Sequence, residues 1–310
     1  MILRKLTTRP IWWWERNRPY PIRQRVFALP PVKIAEAAVT LVVLTTPNSV
    51  GDAAWTARSL LAHLPTMGLT FAVDGDLPFD QATLLTRSFP GCRLVPTREL
   101  VARVAAECPH MEKLSRAHPM GRKLASIFAL HKDGAILFSD NDVLAFAPLK
   151  EVSMAMDLAN HPGLYLQEVG GVSLEPAVLA AIQRLGLGYA ETINVGLLLI
   201  PQGALDLKLA EEILEHSDGI ASWFPDTMVL AALMHAAGAL PLPRETYSVS
   251  PQRQFYFEPD VDYPKLSLRH FTGPVRHLMY SRGMPLLWRR WRASQPEYRA
   301  EAEPLTVANP

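Results

Sequence analysis

Cysteine is nearly absent. The chain carries two, Cys92 and Cys108, in 310 residues. Two thiols cannot build a disulfide framework, or a four-ligand zinc site unaided. Their scarcity suits a reducing compartment, so a cytoplasmic location is expected. An excess of charge of either sign is lacking too. The formal net charge is +1, so no bulk field points to a nucleic-acid partner, and none is expected. Long apolar runs are also missing. The polar, arginine-dotted opening has no continuous apolar stretch of the kind a secretory leader needs. The most apolar early run, Val39 to Leu44, falls well short of the about 20 residues that cross a bilayer. No internal repeat or low-complexity segment is visible. What is present, 49% hydrophobic and 20% charged residues, is the composition of an ordinary globular domain.

The basic residues gather at the two ends. Arg4, Lys5, Arg9, Arg16, Arg18, Arg23 and Arg25 share the opening with one acid, Glu15, and with Trp12, Trp13 and Trp14. Arg276, Arg282, Arg289, Arg290 and Arg292 accompany Trp288 and Trp291 near the other end. The plainer expectation is that these ends pack on the domain, with tryptophan bodies buried and arginine heads in solvent. The second is a peripheral contact with an anionic membrane surface. We divide the chain into an irregular basic and aromatic arm (1–33), one domain (34–280) and a basic tail (281–310).

Between the ends, strand and helix patterns alternate. Val39-Thr40-Leu41-Val42-Val43-Leu44 is β-branched and apolar throughout, as a strand buried on both faces should be. It stops at the turn cluster Thr45-Thr46-Pro47-Asn48. A helix is expected over 52–64 and a second strand over 69–73, ending at Asp74-Gly75-Asp76. Further helices are expected over 120–130, 175–185, 207–214 and 226–237, and further strands over 135–138 and 193–200. This alternation predicts an α/β domain with a mixed, mostly parallel, Rossmann-like sheet flanked by helices.

The segment Ala135-Ile136-Leu137-Phe138-Ser139-Asp140-Asn141-Asp142 says most about function. A buried strand delivers two carboxylates to its C-terminal end, where open α/β sheets bind ligands. Asp140 and Asp142 can converge on one hard cation, Mg²⁺ or Mn²⁺, of the kind that also holds phosphates. Such an ion stabilises the charge left on a diphosphate leaving group. The competing reading is a turn, which Asp-Asn-Asp also suits.

Phe138-Ser139-Asp140-Asn141-Asp142-Val143 resembles the DXD segment of GT-A glycosyltransferases. Three further segments follow in the order of the family 8-like enzymes. Ile193-Asn194-Val195-Gly196 resembles their N-x-G strand. Asp226-Thr227-Met228-Val229-Leu230 resembles their D-Q-x-x-L helix start. His270-Phe271-Thr272-Gly273-Pro274 resembles their H-F-x-G segment. The resemblance runs from about Met120 to Pro274 and leaves both ends uncovered. It implies that His270 is a third metal ligand beside Asp140 and Asp142, and that Asp226 contacts the donor sugar. It puts Arg276 where the family has a diphosphate-binding lysine, Thr227 where it has glutamine, and Lys123 on a helix close to the sugar nucleotide. Thr45 and Thr46 fall where this fold places base and ribose, with Asp74 a further candidate. Asn141, Gly196 and Gly273 complete the expected nucleotide-binding set.

Local readings compete with several of these roles. Asp226 suits an N-cap, and Lys123 suits a solvated helix face. Glycine in a strand marks close approach of a ligand or a bulge, so Asn194 either reaches a sugar or acceptor hydroxyl or satisfies its own backbone. Glu168 and Asp226 are the candidate bases if the reaction inverts configuration; the resemblance implies retention. The expected activity is metal-dependent transfer of a sugar from a nucleoside-diphosphate sugar, UDP-linked, to a saccharide, lipid or protein acceptor. A nucleotidyltransferase that makes sugar nucleotides, and a non-catalytic nucleotide-binding protein, are the alternatives.

Overall fold

The computed structural model describes residues 19–158, 161–172, 174–216, 225–249 and 262–294. The tryptophans and basic residues expected at positions 4 to 18 lie outside that set, as do Trp223 and Phe224. Seven strands form the main sheet: β1 (Val39–Thr45), β2 (Gly68–Val73), β3 (Arg93–Pro96), β4 (Ala135–Ser139), β6 (Leu164–Gln167), β7 (Ile193–Ile200) and β8 (Leu240–Pro241). Their order is β3-β2-β1-β4-β7-β6-β8. Strands β3, β2, β1 and β4 are parallel neighbours. Strand β7 runs against both β4 and β6, and β8 runs parallel to β6.

The uninterrupted apolar strands follow from burial on two faces. Leu41 and Val43 belong to one core and Val42 to the other; Leu137 faces the first while Ile136 and Phe138 face the second. The same alternation runs along β7, with Leu197 and Leu199 on one side and Leu198 and Ile200 on the other. Each such side chain contributes about 1.5–3 kcal/mol on full burial. The helix Val50–Leu61 packs on the first face. The helices Pro119–His131, Leu207–His216 and Pro225–Ala236 pack on the second.

A second sheet, absent from the sequence reading, has the order β5-β10-β9, from β5 (Val143–Ala145), β9 (Tyr247–Val249) and β10 (Leu268–His270). Its strands have three residues each, too few to show a period. The chain thus leaves the main sheet at the end of β4 and enters the small sheet at β5, with Asp140, Asn141 and Asp142 as the link. Strand β1 leads outward to β2 and β3, and β4 starts the other half. The C-terminal ends of β1 and β4 therefore flank the point where strand order reverses, where such sheets bind ligands.

The ends of the described chain are ordered on the domain. The arm contributes a short helix, Ile22–Arg25, and the C-terminal segment a helix, Met284–Ala293. Trp291 stacks on the buried Trp55 with ring centroids 5.3 Å apart, and the Trp55 indole donates to the Ile22 carbonyl at 3.0 Å. Arg290 donates to the Phe146 carbonyl. No helix among the described residues is long and apolar enough to cross a membrane.

The helix that carries Lys123 is seated by a close crossing. A Cβ on Gly121 would meet the Leu114 carbonyl carbon and the Ser115 nitrogen, each at 2.6 Å. Those are backbone atoms of the preceding helix, Pro109–Ala117, and cannot step aside. Gly121→Ala should therefore cost about 1–3 kcal/mol by overpacking, read as a lower urea midpoint with an unchanged slope.

Candidate active site

Three segments meet at the sheet reversal, tied by backbone hydrogen bonds. The Asp140 amide donates to the Gly196 carbonyl of β7 at 2.9 Å, and the Phe271 amide donates to the Asp142 carbonyl at 2.8 Å. Antiparallel pairing of β10 with β5 sets His270 opposite Val143, beside Asp142. His270 Nε2 lies 3.1 Å from Asp142 Oδ1 and 3.9 Å from Asp140 Oδ2. One ligand atom from each of the three residues falls within 4.8 Å of the others. Adjacent ligands of an octahedral ion with bonds of about 2.1 Å stand about 3 Å apart, and opposite ones about 4 Å. Two carboxylates and an imidazole at these separations fit a divalent cation such as Mn²⁺ or Mg²⁺.

The surrounding charges balance. Lys123 Nζ lies 2.9 Å from Asp140 Oδ1 and 3.1 Å from Asp226 Oδ2. Arg276 pairs with Asp142 Oδ2 through Nε and Nη2. Asp142, Asp226, Lys123 and His270 are 3%, 1%, 2% and 6% exposed, so solvent does little to screen them. Burial pushes the Lys123 ammonium down, but Asp140 and Asp226 outweigh it and hold it above its ordinary value. Burial likewise raises Asp142, yet Arg276 and His270 together hold it well below the carboxylate range. Asp140 goes the other way: burial lifts it against Lys123, and the Asp142 charge adds to the lift. Burial disfavours the His270 cation, and Asp142 more than compensates, raising its pKa.

The remaining residues singled out from sequence divide between the cluster and its surroundings. Asp226 sits within the first turn of a helix that starts at Pro225, inside the helix instead of at an N-cap. Its pairing with Lys123 is off the line of a hydrogen bond, and neither buried carboxylate oxygen is hydrogen-bonded. Lys123 is buried, not on a solvated face. Asn141 donates to Ser49 Oγ at 2.9 Å, joining the acidic turn to the loop after β1. Ser49 also accepts from the Thr46 amide at 2.9 Å and lies 3.0 Å from Thr46 Oγ1, while Thr45 is fully buried beneath. Asp74 is committed elsewhere: Arg122 grips it with Nε and Nη2 at 2.7 and 3.0 Å, and Thr97 donates at 3.1 Å. Gly273 is exposed at the start of a short 3₁₀ turn leading to Arg276. Asn194 and Gly196 lie against the Nδ1 side of His270, and Glu168 accepts from Asn194.

Sequence reasoning missed a cluster beside Arg276. Arg23, from the arm read as irregular, pairs bidentately with the buried Asp52 at 2.7 and 3.0 Å. Tyr280 donates to the same carboxylate at 2.9 Å. Tyr280 lies in a π-helical segment, Met279–Gly283, just past Arg276; such bulges are frequent at functional sites. The only forward signal was an acid in the turn-to-helix stretch after β1.

The chain shares the GT-A fold. Two structures of the galactosyltransferase LgtC, one with donor and acceptor sugar analogs and one of an active-site mutant, each superpose with a TM-score of 0.52. Both are 16% identical, over 84% of this chain and 99% of theirs. An apo structure of the bifunctional WbbM glycosyltransferase scores 0.48 at 13% identity, over 83% of this chain and 52% of its own. No family model and no curated protein matches the sequence. At this identity the likeness is one of fold. The mixed, mostly parallel sheet expected from the alternating pattern is the GT-A sheet, and the acidic turn after β4 sits at its strand reversal.

Protonation of His270 competes with ion binding at Nε2. Its pKa lies above the ordinary value of about 6.5, so below that raised value each bound ion must displace one proton. Mn²⁺ affinity should rise with pH, by about tenfold per unit below the His270 pKa, and level off above it. Calorimetric titrations across about pH 6 to 9 check this, and His270→Ala should flatten the profile.

Proposed function

We propose that this chain is a metal-dependent glycosyltransferase that moves a sugar from a nucleoside-diphosphate sugar, UDP-linked, to a saccharide, lipid or protein acceptor, with retention of configuration. One observation carries the reading. Asp140 and Asp142, in the turn after β4, and His270 of β10, 128 positions beyond Asp142, converge at the strand reversal of a GT-A sheet. Beside them is a buried Asp226 whose one close partner is the Lys123 ammonium and whose carboxylate oxygens make no well-aligned hydrogen bond.

When bound, a divalent cation supplies Lewis-acid stabilisation to the departing diphosphate. The chain's own groups do the rest. Lys123 bridges Asp140 and Asp226 with one buried ammonium. Asp226 accepts hydrogen bonds from sugar hydroxyls, which relieves an unsatisfied buried carboxylate. Arg276 pairs with Asp142 through Nε and Nη2 and leaves Nη1 of its guanidinium for a phosphate oxygen. Thr46 and Ser49, held by Asn141, present hydroxyls to ribose and base. The bond from the anomeric carbon to the diphosphate breaks with its electron pair on the diphosphate, and an acceptor hydroxyl oxygen forms the new bond while its proton passes to the departing diphosphate oxygen. Of the ends rich in tryptophan and arginine, the described part turns its rings inward: Trp288 and Trp291 pack against the core. A peripheral membrane contact therefore falls to exposed arginines such as Arg282 and Arg289.

Two substitutions test the assignment. Asp142→Asn should abolish Mn²⁺-dependent UDP binding, measured by calorimetry, while circular dichroism stays native. Asp226→Asn should leave UDP binding within about threefold and slow release of UDP from the matching UDP-sugar by roughly 100-fold, the scale of losing one preorganised polar contact. Pyrophosphate released from UTP and a sugar 1-phosphate would instead point to a nucleotidyltransferase.

A further inference from the structure

Asn194 and Gly196 interrupt the apolar run of β7, and both serve His270. The Gly196 amide donates to Asn194 Oδ1 at 3.0 Å. A backbone N–H can only donate, so this contact identifies the oxygen end of the carboxamide. The same Oδ1 lies 2.8 Å from His270 Nδ1. An oxygen without a proton requires the hydrogen to sit on Nδ1. Nε2 is then the nitrogen whose lone pair is open to a ligand, and Nε2 is the atom that faces Asp142 and Asp140. At its other end Asn194 donates through Nδ2 to Glu168 Oε2 at 2.7 Å, and Glu168 Oε1 accepts from the Val169 amide at 3.2 Å. A Cβ at position 196 would stand 2.2 Å from His270 Nδ1, so only glycine leaves room for the ring.

We propose that Asn194 and Glu168 are positioning residues of the cation centre. Glu168 orients the Asn194 amide, and Asn194 holds the tautomer and plane of His270 so that Nε2 points at the two aspartates. Outer partners of this kind orient metal-ligating histidines generally, most often as a carboxylate or carbonyl on the far ring nitrogen. Here an amide relays the carboxylate. The inference rests on reading Asp140, Asp142 and His270 as a cation site. It moves Asn194 and Glu168 from the sugar-facing and catalytic roles expected from sequence to a supporting one. The Asn194 oxygen already accepts from two donors, and each Glu168 oxygen accepts from one.

The test needs neither sugar donor nor acceptor. Mn²⁺ binding to the full chain without nucleotide is followed by the electron paramagnetic resonance of free Mn²⁺. Asn194→Ala should weaken binding by about 10- to 100-fold, the usual loss when an outer partner is removed. The reversed pair, Asn194→Asp with Glu168→Gln, keeps an acceptor for His270 and a donor between the two side chains. It should bind within about threefold of wild type. At a pH above the His270 pKa, where the ring is neutral, nitrogen-15 spectra of the metal-free chain should show His270 protonated at Nδ1 and not at Nε2 in wild type, and should lose that preference in Asn194→Ala. A supporting role in folding alone would lower the melting temperature and leave Mn²⁺ affinity unchanged. A sugar-contact role would lower turnover and also leave affinity unchanged. Either result, or an unprotonated Nδ1 in wild type, overturns the proposal. A wild-type chain with no Mn²⁺ affinity overturns the cation centre and this inference with it. Mn²⁺ binding that depends on Asn194 as described, in a chain that transfers no sugar, sinks the glycosyltransferase reading and leaves this one standing.

Discussion

Charge balance inside the fold governs this site. Three carboxylates, Asp140, Asp142 and Asp226, face three cationic side chains, Lys123, His270 and Arg276. Ions taken out of water cost several kcal/mol each unless they are paired. Losing one member of a buried pair typically costs about 3–5 kcal/mol, because its partner is left uncompensated. These six groups come from the turn after β4, two helices, β10 and the segment that follows it. Their mutual neutralisation therefore holds together the elements whose convergence makes a site at all.

The same balance sets how the carboxylates and cations share one another. Arg276 spends its guanidinium on Asp142, and the Asp142 carboxylate is among the groups a divalent ion would bind. Lys123 is deeper and is shared by Asp140 and Asp226. Around this core the loops after β1 and β4 are tied by Asn141 and Ser49 into one hydrogen-bonded frame. Arg23 of the arm and Tyr280 converge on Asp52, next to Arg276.

Much of the main sheet was legible because burial on both faces demands apolar residues at every position, and Val39 to Leu44, Ala135 to Phe138 and Val195 to Ile200 obey that demand. The acidic turn was legible because two aspartates directly after such a strand conflict with burial unless they serve a ligand. The small sheet was not, since three-residue strands carry no period. Asp74 shows the limit from the other side: its place after β2 marks it for a pocket, while Arg122, 48 positions away in the chain, already holds it.

Local chemistry, written in the order of residues, determined which strands are buried, where they stop, and that carboxylates and an imidazole stand ready at their ends. Hydrophobic periodicity and turn propensity act over a few residues, so they survive in one dimension. Tertiary structure alone decided who meets whom. His270 and Asn194 are separated by 76 positions and His270 and Asp142 by 128. Their contacts exist because β10 pairs with β5 while β7 pairs with β4. Hydrogen-bond direction and ion pairing depend on distances of a few ångströms, and only the packed sheets set those distances.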